Sequence, residues 1–294
     1  MQTQIIPLHS CTYTDTQLLA NQTGEEVTIA GVLRLVQPQN NPVVVLLHGS
    51  GGYREFIDYW VELLNQHNFS TLVIDSFTGR CLTDVGSNQQ SLGRLASIPD
   101  AYAALTYLKS HPQVDSQNIF LQGFSRGGQG TLYAAMQRFA KRWGYDNDGF
   151  KAVASFYPNC CFEYLSDTDV IDSPIRIFHG MADDYNPIDA SIRYVNRAKD
   201  NGADIELYQY PDGHHGFDGK SLPTLSFLPK AQSTRNCQII ETEPGVLINK
   251  ATGQLFTYQD SQIETGVHVG YNAEAATKAR QQLLDFFKQC LEEQ

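Results

Sequence analysis

The sequence lacks any segment suited to a membrane or a nucleic acid. None of its apolar runs approaches the roughly 20 residues that a membrane-spanning helix needs. Basic residues are few and scattered, since 21 Lys and Arg stand against 32 Asp and Glu, and the formal net charge at pH 7 is −11. Because phosphate groups are held by clustered positive charge, we expect neither a nucleic-acid partner nor a membrane partner.

Metal-binding cysteine pairs and a secretory leader are also missing. None of the six cysteines belongs to a C-x-x-C pair, the spacing typical of zinc sites. The first ten residues lack the positive and apolar segments of a signal peptide, which predicts a cytoplasmic protein. Removal of a signal peptide would instead allow a periplasmic or secreted location, which also suits an even cysteine count. Most of the cysteines are expected to be buried thiols, while Cys160 or Cys161 is a candidate disulfide partner for Cys237.

Segments of strand and helix periodicity alternate along most of the chain. A continuous β-branched run at 42–47 is typical of a strand that is buried on both faces. The alternating pattern at 26–36 is typical of an early antiparallel strand. Further strands are predicted at 69–74, 117–122, 150–156, 174–178 and 204–210, and helices at 54–66, 96–109, 129–142, 188–198 and 273–291. Such alternation predicts βαβ units. We therefore predict an α/β-hydrolase type of architecture, with a mostly parallel central sheet and helices on both faces.

A single domain over residues 1–294 accounts for this pattern, because the length is within the range of one large α/β domain. The segment 219–272 departs from the alternation. It contains several prolines and glycines and a predicted hairpin between 237–240 and 245–258. Long irregular segments in a compact domain are often functional. Since this one follows a histidine-bearing strand end, we predict a cap or lid inserted before the last helix.

The most informative motif is Gly-Phe-Ser-Arg-Gly at 123–127, between a predicted strand and a predicted helix. This G-x-S-x-G pattern is the sequence of a nucleophile elbow, a tight turn that lifts a serine clear of the sheet. The positions two residues before and after the serine need glycine, because side chains there would clash. Ser125 is therefore the candidate nucleophile.

A serine nucleophile needs a histidine to accept its proton and a carboxylate to orient that histidine. In such hydrolases the acid and then the histidine follow the serine, each on a loop at the carboxyl end of a strand. The first loop offers Asp183 or Asp184, and the second offers His214 or His215. The pattern leaves both choices open. The unused aspartate is expected to cap the helix that begins near Pro187, and the unused histidine to be structural or to face the substrate.

The negatively charged oxygen of a tetrahedral intermediate must be held by N–H donors, which form an oxyanion hole. One donor follows the nucleophile, which makes the backbone of Arg126 a candidate. The other comes from the loop after an earlier strand, here the glycine-rich segment 48–52, where Ser50 or Gly51 is the candidate. The Arg126 side chain is a candidate contact for an acidic group of the substrate. The candidate substrate-binding residues are Tyr53, Phe124 and Arg126.

Together these motifs resemble the dienelactone hydrolase family of α/β-hydrolases, from about residue 31 to the last helix. The motifs are His-Gly-Ser-Gly-Gly at 48–52, Asp-Ser-Phe at 75–77 with Arg80, Gly-Phe-Ser-Arg-Gly-Gly at 123–128, His-Gly-x-x-Asp-Asp at 179–184 and Tyr-Pro-x-x-x-His-Gly-Phe at 210–217. Position by position, the resemblance implies that Asp183 is the orienting acid and His215 the base. Founding members carry cysteine where this chain has Ser125. The resemblance therefore implies the carboxylesterase branch, which acts on small esters, rather than dienelactone as the substrate.

We predict a serine hydrolase that uses Ser125, His215 and Asp183 to cleave a carboxylic ester or lactone through an acyl-enzyme, with no metal and no cofactor. The expected partner is a small-molecule ester, and the sequence makes no prediction of the oligomeric state. Two alternatives stay open. One is an acyltransferase or small peptidase on the same triad, and the other is a catalytically silent binding protein with this fold.

Overall fold

The computed structural model describes residues 1–292, which contain fourteen strands and seven α-helices. The strands are β1 (Gln2–Thr12), β2 (Glu25–Leu35), β3 (Asn41–Leu47), β4 (Ser70–Asp75), β5 (Val114–Phe124), β6 (Val153–Phe156), β7 (Phe162–Glu163), β8 (Ile175–Gly180), β9 (Ile205–Tyr210), β10 (Ser226–Ser233), β11 (Ile239–Glu243), β12 (Val246–Asn249), β13 (Gln254–Leu255) and β14 (Glu264–Val269). The helices are α1 (Asp15–Leu19), α2 (Phe56–Gln66), α3 (Ser97–Lys109), α4 (Arg126–Ala134), α5 (Gln137–Trp143), α6 (Ile188–Asp200) and α7 (Ala273–Glu292). Within these residues no helix combines the length and apolar character needed to span a membrane.

Eight strands form the central sheet, in the order β1-β2-β4-β3-β5-β6-β8-β9. β2 pairs antiparallel with both β1 and β4, whereas every pair from β4 to β9 is parallel. Parallel strands bring their carboxyl ends to one edge of the sheet, where the loops that follow them meet. The predicted α/β fold with a mostly parallel sheet is confirmed.

Helices cover both faces of this sheet, and the residues of β3 show why. Val43 and Val45 join a core with α3, α4 and α6, while Val44 and Leu46 point the other way into a core with α2 and α7. All four side chains are fully buried. A strand that is buried on both faces needs a continuous apolar run, which is what the sequence has at this position.

Two elements differ from the prediction. The sequence predicts one helix over 129–142, but the structure has α4 and α5 separated at Ala135 and Met136. Met136 is extended and bridges Val170, and the Gln137 N–H donates to the Asp169 carbonyl at 2.8 Å. This pairing with a distant segment interrupts a run of good helix formers. The N-terminal strand β1, which the sequence analysis did not predict, forms an edge of the central sheet.

The segment 219–272 contributes strands to two small sheets, one of which also includes β7. β10 pairs with β14, while β13, β12, β11 and β7 form a second sheet. β11 and β12 pair antiparallel, so the predicted hairpin is present. Val269 forms a bridge with His215, and the Gln232 N–H donates to the Gly86 carbonyl at 2.9 Å. These contacts hold the segment beside the carboxyl ends of the parallel strands, and its role as a cap or lid stays a prediction.

A buried ion pair joins β1, α3 and the loop after β4. Arg80 Nη1 and Nη2 each donate to a carboxylate oxygen of Asp100 at 2.8 Å, and the two side chains are almost fully buried. Ser10 Oγ on β1 also donates to Asp100, at 2.5 Å, and Arg80 Nη2 donates to the Cys11 carbonyl at 3.0 Å. The pair therefore links the edge strand to the helical layer.

Replacing Asp100 tests how much this pair stabilises the fold. Asp100→Asn leaves the Arg80 guanidinium buried without a countercharge, so we expect the free energy of unfolding to fall by about 3 kcal/mol. Urea denaturation followed by circular dichroism measures this. Glu274→Gln, which breaks the exposed pair between Glu274 and Lys278 on α7, is the control and should leave the midpoint unchanged. An equal effect of the two substitutions would contradict the expectation.

Candidate active site

Ser125 occupies the turn between β5 and α4 in a backbone conformation that residues with a side chain rarely adopt. Its φ is 55° and its ψ −114°. Two hydrogen bonds hold the turn: the Ser125 N–H donates to the Phe156 carbonyl at 2.9 Å, and the Gln129 N–H donates to the Ser125 carbonyl at 2.8 Å. Such strain persists only where the surroundings enforce it. The turn has the strand-to-helix context of a nucleophile elbow.

The glycines of the motif are required by close backbone contacts. A Cβ at Gly123 would lie 2.3 Å from Thr131 Oγ1 and 2.4 Å from the Gly127 carbonyl oxygen. A Cβ at Gly127 would lie 2.4 Å from the carbonyl oxygens of both Leu47 and His48. Real Cβ atoms do not approach other atoms so closely. The turn can therefore pack against β3 and its own helix only with glycine at both positions.

The structure brings Ser125, His215 and Asp183 into one hydrogen-bonded row. Ser125 Oγ lies 2.9 Å from His215 Nε2, and His215 Nδ1 lies 2.8 Å from Asp183 Oδ2. The three residues follow β5, β9 and β8, whose carboxyl ends share one edge of the sheet. A Cβ at Gly180 would meet the Gly213 carbonyl oxygen at 2.0 Å, so the two loops behind the row are in direct backbone contact.

The surroundings of Asp183 keep this carboxylate ionised. Its Oδ1 accepts hydrogen bonds from the N–H groups of Tyr185 and Asn186, both at 2.9 Å. Burial by itself would raise the pKa of Asp183, but the charge and hydrogen bonds of His215 and His179 outweigh it and hold the pKa well below its usual range. A buried carboxylate that remains charged can orient a histidine and stabilise its protonated form.

The neighbouring acid and histidine have other contacts. Asp184 Oδ1 accepts from the His268 N–H and its Oδ2 lies 2.8 Å from His268 Nδ1, so this aspartate joins the loop to β14. It does not cap α6, whose first turn has no side-chain cap. The expectation of a capping role is wrong, because β14 competes for the carboxylate. The ring of His214 faces His268, with 6.4 Å between the centroids.

The glycine-rich loop after β3 lies directly against the serine. A Cβ at Gly49 would be 3.2 Å from Ser125 Cβ. His48 braces the loop, since its Nδ1 is 2.8 Å from the Gly49 carbonyl oxygen and its Nε2 accepts from the Ser76 N–H at 3.1 Å. Burial lowers the pKa of His48, which favours the neutral ring that this pair of contacts requires.

N–H groups remain available beside Ser125. Within residues 1–292 the structure assigns no acceptor to the N–H groups of Ser50 and Gly51, and Arg126 is the first residue of α4, where an N–H has no partner inside the helix. These are the three donors that the sequence analysis selected for an oxyanion hole. Their use in catalysis stays a prediction.

The three predicted substrate-binding side chains lie in different surroundings. Tyr53 is partly exposed and its hydroxyl donates to Asp58 on α2. Phe124 is fully buried against the rings of Phe56 and Trp60. The guanidinium of Arg126 is buried and donates to the carbonyls of a neighbouring loop. The side chains of Phe124 and Arg126 offer no surface to a substrate, so we assign them structural roles in place of the predicted contacts.

Two tyrosines that the sequence analysis passed over form the walls of the site. The rings of Tyr157 and Tyr185 lie 4.6 Å and 4.7 Å from the His215 ring. Tyr157 comes directly after β6 and has a φ of 39°, and its hydroxyl donates to the buried Asp218 at 2.8 Å. Its position at a strand end was the available signal, since functional side chains concentrate at the carboxyl ends of parallel strands.

The cysteines take no part in the site. Cys160, Cys161 and Cys237 form no disulfide bond, so the candidate pairing of Cys160 or Cys161 with Cys237 is not formed. Burial raises the pKa of Cys160 to about 12 and that of Cys161 to about 11, which keeps these thiols protonated and unreactive. In the part of the chain described here, no three His, Cys, Asp or Glu side chains are arranged to hold a metal ion.

Comparisons with known proteins agree with this architecture. A model of the dienelactone hydrolase family matches residues 29–291. No curated protein matches the sequence. Similar solved structures include a putative dienelactone hydrolase from Klebsiella pneumoniae, with 15% identity, a TM-score of 0.60 and coverage of 97% of this chain and 99% of that one.

Two more solved structures share the fold. A dienelactone hydrolase-like promiscuous phosphotriesterase from metagenomic libraries has 16% identity and a TM-score of 0.58, with 99% of each chain covered. An esterase from Pyrococcus furiosus has 16% identity and a TM-score of 0.52, with 72% of this chain and 84% of that one covered. At such low identities these likenesses establish the α/β-hydrolase fold and do not specify a substrate.

The electrostatics of Asp183 predict a pH dependence of stability. Its pKa in the folded protein lies below the value of about 4 in an unfolded chain, so the ionised carboxylate contributes stability above about pH 4 that is lost as the pH falls. Between about pH 6 and about pH 3, the urea midpoint should therefore fall further for the wild type than for Asp183→Asn. Asp184→Asn is the matched control and should show the wild-type drop. Equal drops for wild type and Asp183→Asn would contradict the expectation.

Proposed function

We propose that this chain, which belongs to the dienelactone hydrolase family, is a serine hydrolase that cleaves carboxylic esters or lactones through an acyl-enzyme. Family membership supports a hydrolase, and the finer assignment depends on the site. The observation that carries it is the row of contacts from Ser125 Oγ through His215 to Asp183, at 2.9 Å and 2.8 Å. Both distances are within hydrogen-bonding reach of a nucleophile and its general base.

In the proposed first step, His215 Nε2 takes the proton of Ser125 Oγ while the oxygen attacks the carbonyl carbon of the ester. Asp183 stays ionised and stabilises the imidazolium that forms. The N–H of Arg126 and that of Ser50 or Gly51 hold the negatively charged oxygen of the tetrahedral intermediate. When the intermediate collapses, the bond to the alcohol breaks and His215 gives its proton to the departing oxygen. The acyl group is then attached to Ser125.

In the second step a water molecule attacks the acyl-enzyme. His215 accepts a proton from the water, and a second tetrahedral intermediate forms at the same N–H donors. Its collapse releases the carboxylic acid and returns the proton to Ser125 Oγ. An acyltransferase would follow the same path with an alcohol or amine in place of water. A binding protein without activity would leave the strained turn at Ser125 and the hydrogen-bonded row without a use, which favours the hydrolase.

A fluorophosphonate probe distinguishes an activated serine from a silent one. We expect the wild type to be labelled and Ser125→Ala to remain unlabelled, because phosphonylation needs the Oγ that His215 activates. Hydrolysis of a p-nitrophenyl ester by Ser125→Ala should fall by about 10⁴-fold or more. Labelling is read by intact mass. If the wild type is not labelled, or if Ser125→Ala is labelled equally, the proposed function is wrong.

Adjacent histidines provide a second, matched test. His215→Ala removes the proposed general base, so kcat for a p-nitrophenyl ester should fall by about 10⁴-fold. His214→Ala removes a ring that faces His268, whereas the ring that hydrogen-bonds to Ser125 Oγ belongs to His215, so this variant should retain most of the wild-type kcat. Steady-state kinetics at pH 8 compare the two variants. A larger loss in His214→Ala than in His215→Ala would reverse the assignment.

A further inference from the structure

A buried cluster of polar side chains lies beside the candidate site and has no role in the steps above. Its centre is Gln89, in the loop between β4 and α3, whose side chain is 1% exposed. We call it the Gln89 cluster, and its other members are Ser50, Arg94, Arg126 and Tyr185. The main-chain N–H of Gln89 also donates to Gln232 Oε1 on β10, at 2.8 Å. The cluster thus lies between the glycine-rich loop, the elbow helix and the inserted segment.

The side-chain oxygen of Gln89 accepts three hydrogen bonds. Arg126 Nη2 donates at 2.7 Å and Arg94 Nη1 at 2.9 Å, while Ser50 Oγ donates at 3.3 Å. Two of these donors are charged, and hydrogen bonds from charged donors are about twice as strong as neutral ones. The orientation of the amide is therefore set by the arginines. Ser50, which belongs to the glycine-rich loop, donates its hydrogen bond to the Gln89 oxygen that the arginines orient.

The amide nitrogen of Gln89 forms a hydrogen bond toward the part of the site that contains His215. Gln89 Nε2 donates to the Tyr185 hydroxyl at 3.0 Å. The Tyr185 ring lies 4.7 Å from the His215 ring, and its N–H donates to Asp183 Oδ1. The Gln89 side chain therefore connects the glycine-rich loop, which contains two candidate oxyanion donors, to Tyr185, which packs on the proposed base His215.

The two arginines contribute positive charge that no acid in the cluster offsets. Arg94 and Arg126 are 5% and 3% exposed. Their guanidinium groups donate to the side-chain oxygens of Gln89 and Gln129 and to the main-chain carbonyls of residues 89, 92 and 93. Among residues 1–292 neither forms an ion pair with a carboxylate.

The surroundings of Arg126 lower its pKa. Burial is the main cause and brings the pKa to about 10, the charge of Arg94 acts in the same direction, and the charge of Asp15 opposes them. Arg126 still carries its charge at neutral pH. Its backbone N–H is also a candidate donor to the oxyanion, so this buried positive charge belongs to the same residue as a donor to the negative charge that would develop. A positive potential held in a buried environment stabilises such charge more strongly than it would in water.

We propose that Gln89 is a positioning residue for ester hydrolysis, acting through Ser50 on the glycine-rich loop and through Tyr185 on His215. The inference rests on the proposed function. Gln89 provides a neutral side chain that both accepts and donates at this position. A carboxylate would accept from the same arginines, but it would offset their positive charge on this side of the site. A side chain without polar atoms would lose both the hydrogen bond from Ser50 and the hydrogen bond to Tyr185.

The experiment compares three variants with the wild type in steady-state ester hydrolysis and thermal unfolding. Gln89→Glu keeps the size and the acceptor, and it folds because the new carboxylate meets two guanidinium groups. Gln89→Met keeps the size and removes both polar atoms. Gln90→Glu adds the same charge at the adjacent, exposed residue of the loop and is the matched control.

For Gln89→Glu we expect the melting temperature to equal or exceed that of the wild type, while kcat falls about tenfold or more and KM stays within about threefold. The acid limb of the kcat/KM profile should move to higher pH, because a negative charge near His215 favours the imidazolium. Gln89→Met should also lose kcat, without this shift. Gln90→Glu should match the wild type in kcat, KM and pH profile.

Three outcomes would overturn the inference. These are a wild-type kcat in Gln89→Glu, a loss of kcat without a shift of its acid limb, or equal losses in Gln89→Glu and Gln90→Glu. In all of them the wild type would still hydrolyse the ester and react with the fluorophosphonate, so the proposed function would stand. A wild type that does neither would refute the proposed function and the positioning role together.

Discussion

The close packing of backbone against backbone at the turn after β5 is the constraint on which the rest of the site depends. Ser125 holds a φ of 55° because glycines at 123 and 127 let the turn touch β3 and α4 without side chains between them. This contact aims Oγ at the edge of the sheet where the loops after β8 and β9 meet. The same contact places the first N–H of α4 beside the glycine-rich loop. One steric condition therefore locates both the nucleophile and its nearest candidate donors.

A second constraint is electrostatic and concerns what the site buries. Asp183 is surrounded by two main-chain N–H donors and two histidines, which stabilise its charge in a place where burial alone would remove it. On the other side of the serine, the buried guanidinium groups of Arg94 and Arg126 donate hydrogen bonds to amide and carbonyl oxygens. The protein has a net charge of −11, yet the surroundings of the elbow helix are locally positive. The charge around Ser125 therefore depends on which side chains lie near it and not on the net charge of the chain.

The inserted segment participates in this arrangement through polar contacts. Asp184 binds both the main chain and the ring of His268 on β14, and Gln232 on β10 accepts from the Gln89 N–H. The loop that holds Asp183 and the loop that holds Gln89 are therefore both attached to the insertion. A displacement of β10 and β14 would change the hydrogen bonding of both loops. This coupling is a physical reason for an insertion at this point of the chain.

The sequence by itself determined the α/β fold, because continuous apolar runs and helical periodicity are local properties of the chain. It also selected the two loops that meet Ser125, since strand-end loops in a parallel sheet share one edge, while the family resemblance selected Asp183 and His215 within them. Only the tertiary structure decided what each side chain touches. The helix predicted over 129–142 breaks because Met136 pairs with Val170, and Asp184 binds β14 instead of capping α6. Arg126 turns away from the serine because carbonyl oxygens from residues 89, 92 and 93 accept its guanidinium. Those partners are distant in sequence, and periodicity and motif spacing contain no information about such contacts.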